Sequence, residues 1–184
     1  MSLTQSSMLP LGTVAEDFTL LDTISQRNVS LQYLKSDKAT VIMFICNHCP
    51  YVKHVQSTLV TIAQKYRKKG VQFIAINSND ADNYPEDSPD KMQEIGEKLN
   101  YSFPYLFDET QAVAKKYRAA CTPDFYIFNK DLACVYRGRF DASTPGNNIP
   151  VTGEDLCISL DNLLLDKPIN PNQKPSMGCN IKWK

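Results

Sequence analysis

Short apolar runs alternate with amphipathic stretches along this chain, the rhythm of a sheet covered by helices. Thr40–Ile45 and Val71–Ile76 are continuous, apolar and short, as strands buried on both faces should be. Between them Val52, Val55, Leu59, Ile62, Ala63 and Tyr66 recur at helical spacing over Tyr51–Lys69, and Gly70 supplies a C-cap. Asp17–Asp22 and Asn28–Leu31 read as an N-terminal β-hairpin. Phe125–Phe128 and Cys134–Arg137 form a second hairpin around Asn129-Lys130-Asp131. Pro89–Leu99 and Thr110–Tyr117 are predicted helices, the second N-capped by Asp108, with Tyr105–Phe107 extended between them. A closing helix starts at Thr152 or Gly153 and carries Leu156, Leu160, Leu163 and Leu164 on one face.

These elements predict an α/β domain: a mixed central sheet flanked by helices, with an N-terminal β-hairpin and an insertion before the later helices. Residues 1–9 read as a flexible N-terminus and residues 10–168 as the domain. Residues 169–184, polar and Pro-rich, read as an extended tail packed on it.

Composition narrows the function more than the fold. Twenty basic and twenty acidic residues cancel, which gives no electrostatic case for nucleic acid or an anionic membrane surface. No apolar run is long enough to span a bilayer, and the first residues lack the basic and apolar regions of a signal peptide. The expectation is a cytoplasmic protein. Six cysteines in 184 residues are too few for a disulfide scaffold, so a close pair is expected to be catalytic or metal-binding.

Such a pair exists. Cys46-Asn47-His48-Cys49 lies between the strand Thr40–Ile45 and the helix that follows, where ligand chemistry gathers in open α/β sheets. A helix N-terminus favours a thiolate, and two thiols two residues apart form an easily exchanged disulfide. Cys46 is expected to be the more exposed sulfur and the nucleophile, with Cys49 shielded and resolving. His48, as imidazolium, is expected to favour a neighbouring thiolate and make the disulfide a better oxidant.

With that order of elements the chain resembles the thioredoxin superfamily. The second mark is Thr122-Pro123 before the strand at Phe125. The resemblance implies a cis proline packed against the cysteine pair, and at Thr122 backbone groups offered to an extended substrate. Ala15–Leu20 and the N-terminal hairpin look more like the AhpC/TSA, TlpA and ResA branch. CNHCPYVKH (Cys46–His54), INSNDADNYPEDSP (Ile76–Pro89), CTPDF (Cys121–Phe125), PVTGEDL (Pro150–Leu156) and PSMGCNIKWK (Pro175–Lys184) resemble uncharacterised bacterial thioredoxin-like, peroxiredoxin-like proteins. A thiol–disulfide oxidoreductase is implied, with no cofactor. Its partners would be a protein or small disulfide and an upstream reductant of the thioredoxin or glutathione kind.

Two other readings stand beside it. In a peroxiredoxin, Pro-x-x-x-Thr-x-x-Cys would put the peroxidatic cysteine at Cys49, but Cys46 replaces the threonine and Ile42 the proline. A copper or zinc carrier would use the soft thiolates, although the spacing is one residue short for the copper-binding relatives. Cys121, beside Thr122-Pro123, is either a third thiol at the site or a buried loop thiol. Cys179 reads as a packed or surface thiol, with folding back toward Cys121 as the other possibility. Cys134 and Cys157 read as packing residues, His54 as a satisfied surface or core histidine, and Arg137 and Arg139 as surface or ion-pair residues. Asp80, Asp82, Glu86, Asp87 and Asp90 read as a solvated, helix-capping stretch.

Overall fold

The computed structural model describes residues 3–184. Its core is a seven-stranded mixed sheet in the order β3-β2-β6-β5-β4-β8-β9. The central strands are β4 (Ala39–Phe44) and β5 (Val71–Asn77), which run parallel, and β8 (Asp124–Asn129), antiparallel to β4. β6 (Tyr105–Phe107) extends the sheet beside β5, and β9 (Cys134–Gly138) closes the other edge. β2 (Thr19–Asp22) and β3 (Arg27–Ser30) are the N-terminal hairpin, docked on β6. The hairpin ends at Ser30, whose hydroxyl accepts from the Tyr33 N–H and starts the single turn α1 (Leu31–Leu34).

Alternation along β4 explains why both faces are covered. Val41 and Met43 pack with Phe73, Ala75, Phe125 and Ile127 on one side. Ile42 and Phe44 pack with Ile74, Ile76, Tyr126 and Phe128 on the other. α2 (Pro50–Arg67) and α5 (Glu154–Leu164) cover the first side, α2 through Val52, Val55, Leu59, Ile62, Ala63 and Tyr66. Each fully buried aliphatic side chain there contributes about 1.5–3 kcal/mol. α4 (Ala112–Lys116), with Val113 and Ala114, lies on the second. It begins two residues later than the pattern suggests, yet the Asp108 carboxylate still accepts from the Val113 and Ala114 N–H groups. α3 (Pro89–Lys98) follows a 3-10 turn at Pro85–Asp87.

Both chain ends depart from simple extended arms. β1 (Leu3–Gln5), β10 (Met177–Asn180) and β7 (Cys121–Thr122) form a separate three-stranded ribbon in the order β1-β10-β7. Leu3–Gln5, in the segment expected to be a flexible N-terminus, forms a strand because the outer edge of β10 offers it a hydrogen-bonding partner; residues 1 and 2 lie outside the described residues. No helix among the described residues is long and apolar enough to cross a membrane.

Candidate active site

β4 ends at Phe44, and the chain passes through Ile45 and the Cys46–Cys49 loop before α2 begins at Pro50. Pro50 starts the helix because its missing N–H and fixed φ suit a first helical position. Cys49 is thereby the N-cap. Opposite lies β7, with a cis bond at Thr122-Pro123. Thr122 touches both sulfurs: its Oγ1 is 3.3 Å from Cys46 Sγ, and its carbonyl oxygen is 3.3 Å from Cys49 Sγ.

Neither sulfur is open to solvent. Cys46 is 1 % exposed and Cys49 0 %, so the expected exposure of Cys46 is not found. The cover is the C-terminal tail, whose strand β10 lies along β7, with Cys179 opposite Thr122 and Asn180 opposite Cys121.

The charge distribution within the pair also differs from the expected one. In the reduced pair the hydrogen bond from Cys46 pulls the Cys49 thiol down to about 4; burial opposes this, while Cys179 and the Val52 N–H of the first helical turn assist. No regular side-chain cap bond is needed for that effect, and none forms. Cys46 is pushed well above the usual thiol range by its hydrogen bond to Cys49, by burial and by the Asp87 carboxylate. Cys49 is therefore the more acidic sulfur of the pair.

His48 faces a different partner from the one expected. Its Nδ1 lies 2.6 Å from Asp87 Oδ2, and its ring stacks on Tyr84 at 5.4 Å. Asp87 is fully buried and also accepts from the Asn47 N–H at 2.7 Å and from Asn79 Nδ2 at 2.8 Å. The imidazolium charge is thus offset locally. Stabilisation of a thiolate comes chiefly from the sulfur cluster and the helix end rather than from His48.

Asp87 is the residue the sequence reading missed: in an acidic stretch read as solvated, it anchors the Cys46–Cys49 loop. Its only sequence signal is position, on the loop leaving the carboxyl end of β5. Asp80, 4 % exposed, is also buried, and its N–H donates to the Lys182 carbonyl of the tail. One ligand atom each from Cys46, His48 and Asp87 lie within 4.8 Å of one another, a mixed S/N/O set. A metal there would compete with the three hydrogen bonds that Asp87 already accepts.

Cys121 is buried next to the site, but successive side chains on a strand alternate, so it points away from the face Thr122 uses. Its thiol leans toward the Pro123 carbonyl at 3.8 Å, and burial pushes its pKa up. The third thiol on the sulfur face is Cys179, not Cys121. His54 lines a small cleft with Pro123, Phe125 and Met177, its Nε2 buried without a hydrogen-bond partner. Arg139 pairs with Asp155 at 2.5 Å, partly exposed, whereas Arg137 is wholly buried against Asp124.

The Asp87–His48 pair gives the folded protein a defined pH response. The hydrogen bond to Asp87 raises His48 against the opposing effect of burial. Burial raises Asp87, but hydrogen bonds from His48, Asn79 and Asn47 outweigh it and hold the carboxyl low. The His48 contribution is complete below its unfolded pKa of about 6.5 and fades as pH rises through its raised folded value; that of Asp87 is lost as pH falls through its lowered one. His48→Gln is expected to destabilise by about 1.5–3 kcal/mol near pH 5–6, and by less toward pH 9. Denaturant unfolding across that range measures it. A pH-independent difference would mean that His48 is not charged in the fold.

Residues 11–137 match the AhpC/TSA family. The chain belongs to that family. The AhpC/TSA chain is similar over 100 % of its length, at 60 % identity and a TM-score of 0.98, to 97 % of an uncharacterised conserved protein of Geobacillus kaustophilus. It is 42 % identical to a hypothetical protein from Sinorhizobium meliloti 1021, with 98 % of each chain covered and a TM-score of 0.95. A secreted disulfide oxidoreductase from Mycobacterium tuberculosis shares the thioredoxin-like fold at 19 % identity and a TM-score of 0.59, over 78 % of this chain and 94 % of that one. No curated protein matches the chain significantly.

Proposed function

We propose that this AhpC/TSA protein is a thiol–disulfide oxidoreductase cycling Cys46 and Cys49 between dithiol and disulfide. The observation that carries the reading is the placement of both sulfurs within 3.3 Å of Thr122, at the junction of β4 and α2, with Cys49 the more acidic of the two. Cys49 attacks a substrate disulfide, and one substrate sulfur leaves with the bonding electron pair. Cys46 then attacks Cys49 in the mixed disulfide, its proton passing to the departing second sulfur. One substrate disulfide is reduced and one protein disulfide formed. A dithiol or glutathione-type reductant restores the dithiol in a reducing compartment, and the same steps run backward when the substrate is a dithiol.

Trapping tests the roles. In a Cys179→Ser background, where no neighbouring thiol can resolve it, Cys46→Ser is expected to accumulate a mixed disulfide on Cys49 with a disulfide-bonded peptide, read by intact-mass and peptide mapping. Cys49→Ser is expected to form none. An adduct on Cys46 in the Cys49→Ser protein would reverse the roles. Inert thiols in both variants would remove the oxidoreductase reading.

The lowered Cys49 thiol also supports peroxide reduction. Cys49 would take one peroxide oxygen as sulfenic acid, releasing water, and Cys46 would condense with it to the disulfide and a second water. Stopped-flow oxidation decides: rates no faster than those of a free thiol exclude this reading.

A further inference from the structure

β10 does more than cover the sulfurs. Residues directly opposed in an antiparallel ladder project side chains on the same face. Thr122 uses that face to reach Cys46, so Cys179, its ladder partner, points there as well. The Cys179 thiol hydrogen-bonds to Cys49, and the three cysteines share one packed cluster. Cys49 therefore contacts Cys46 on one hand and Cys179 on the other.

The strand is held in this register on both sides. Before it, the Ser176 N–H donates to Ser6 Oγ at 2.9 Å and Ser176 Oγ to the Gly138 carbonyl at 2.7 Å. After it, the Ile181 N–H donates to the Ala120 carbonyl at 3.1 Å, and the Lys182 N–H to Asn79 Oδ1 at 2.9 Å. Gly178 passes so close to Thr122 that a Cβ would lie 2.0 Å from its carbonyl oxygen. Glycine at that position lets the tail approach near enough to bring the neighbouring Cys179 to Cys49.

We infer that Cys179 is a third exchanging thiol of this site, which takes Cys49 from the Cys46–Cys49 disulfide and forms a Cys49–Cys179 disulfide in its place. The Cys179 sulfur attacks Cys49, the Cys46–Cys49 bond breaks, and the electron pair stays on Cys46. Cys46 takes up the proton that Cys179 gives up. One disulfide is exchanged for another, so no oxidant is consumed. Burial, then the hydrogen bond to Cys49 and its charge, hold the Cys179 thiol up at about 12 in the reduced protein. The last two vanish once Cys49 is in a disulfide. The product fastens the tail over the site and leaves Cys46 as the free thiol.

The inference rests on the proposed disulfide chemistry of Cys46 and Cys49, and the test separates the two. The full chain is oxidised with diamide, quenched in acid, alkylated and mapped by non-reducing digestion. The parent is expected to divide between Cys46–Cys49 and Cys49–Cys179 cross-linked peptides, with Cys46 alkylated in the second. Cys46→Ser is expected to give Cys49–Cys179 as its main cross-link. Cys179→Ser and Cys179→Ala should lose that species and keep Cys46–Cys49, and Cys121→Ser should change nothing. Cys46–Cys49 in the parent without any Cys49–Cys179, there and in Cys46→Ser, overturns this inference alone. Absence of Cys46–Cys49 in the parent and in both Cys179 variants overturns the oxidoreductase reading instead.

Discussion

Gly178→Ala is expected to open the site. The added methyl would stand 2.0 Å from the Thr122 carbonyl oxygen and 3.2 Å from the Pro123 nitrogen, both backbone atoms that no side-chain rotation can move. Relief requires β10 to leave β7. Overpacking of this kind costs about 1–3 kcal/mol, which at about 1.4 kcal/mol per tenfold raises the open population by roughly fivefold to a hundredfold or more. Both sulfurs are at most 1 % exposed when the tail is seated, so their alkylation runs through that open state. Iodoacetamide labelling of Cys46 and Cys49 should accelerate by the same factor, with labelling of Cys134 on the central sheet unchanged. Equal rates for parent and variant would mean that the tail does not control access. If substrates also enter through this edge, exchange with a bulky disulfide should rise in parallel with labelling.

That the tail covers the sulfurs was not visible in the linear sequence, and the reason is physical. β4, β5 and α2 announce themselves because burial on two faces demands unbroken apolar runs and burial on one face demands helical spacing. The Cys46–Cys49 pair and Thr122-Pro123 could be found because they lie at the ends of such elements. β7 is two residues long, and β10 (MGCN) has neither alternation nor β-branched residues. β7 is a strand because β10 lies beside it, and β10 because β1 and β7 flank it. Asp87 escaped for a related reason. A carboxylate in a run of acidic residues looks solvated until the fold delivers three hydrogen-bond donors to it, two of them from the cysteine loop 39 and 40 residues away. Local pattern carries the scaffold; the groups that tune the sulfurs arrive by long-range pairing.

Replacing Arg137 by Met is expected to destabilise the fold by about 3–5 kcal/mol, because it strands a buried carboxylate. Arg137 and Asp124 are both fully buried and pair at 3.0 Å, and Arg137 also donates to the Arg118 carbonyl at 2.7 Å and lies 4.6 Å from the Tyr126 ring. The pair is poorly compensated: Arg137 Nε and Nη1 and Asp124 Oδ1 have no hydrogen-bond partner. Burial already pushes Asp124 up to about 6 with the guanidinium present, and without it the carboxyl rises further. A raised carboxyl contributes stability that is complete below its unfolded pKa and lost as pH rises through the folded one. The Arg137→Met deficit should therefore be smallest in acid and widen as pH rises above 6. Adding Asp124→Asn removes the stranded charge and should recover most of the loss, since a neutral replacement of both partners avoids the desolvation that the pair pays for. Urea unfolding of both variants at pH 5 and pH 8 measures all four values. Asp124 directly follows Pro123, so the single variant should also loosen the Thr122 contacts to both sulfurs and speed their alkylation, and the double variant should restore it. Failure of the second substitution to rescue would mean that Arg137 acts through its packing on Tyr126 and its bond to Arg118 rather than through Asp124.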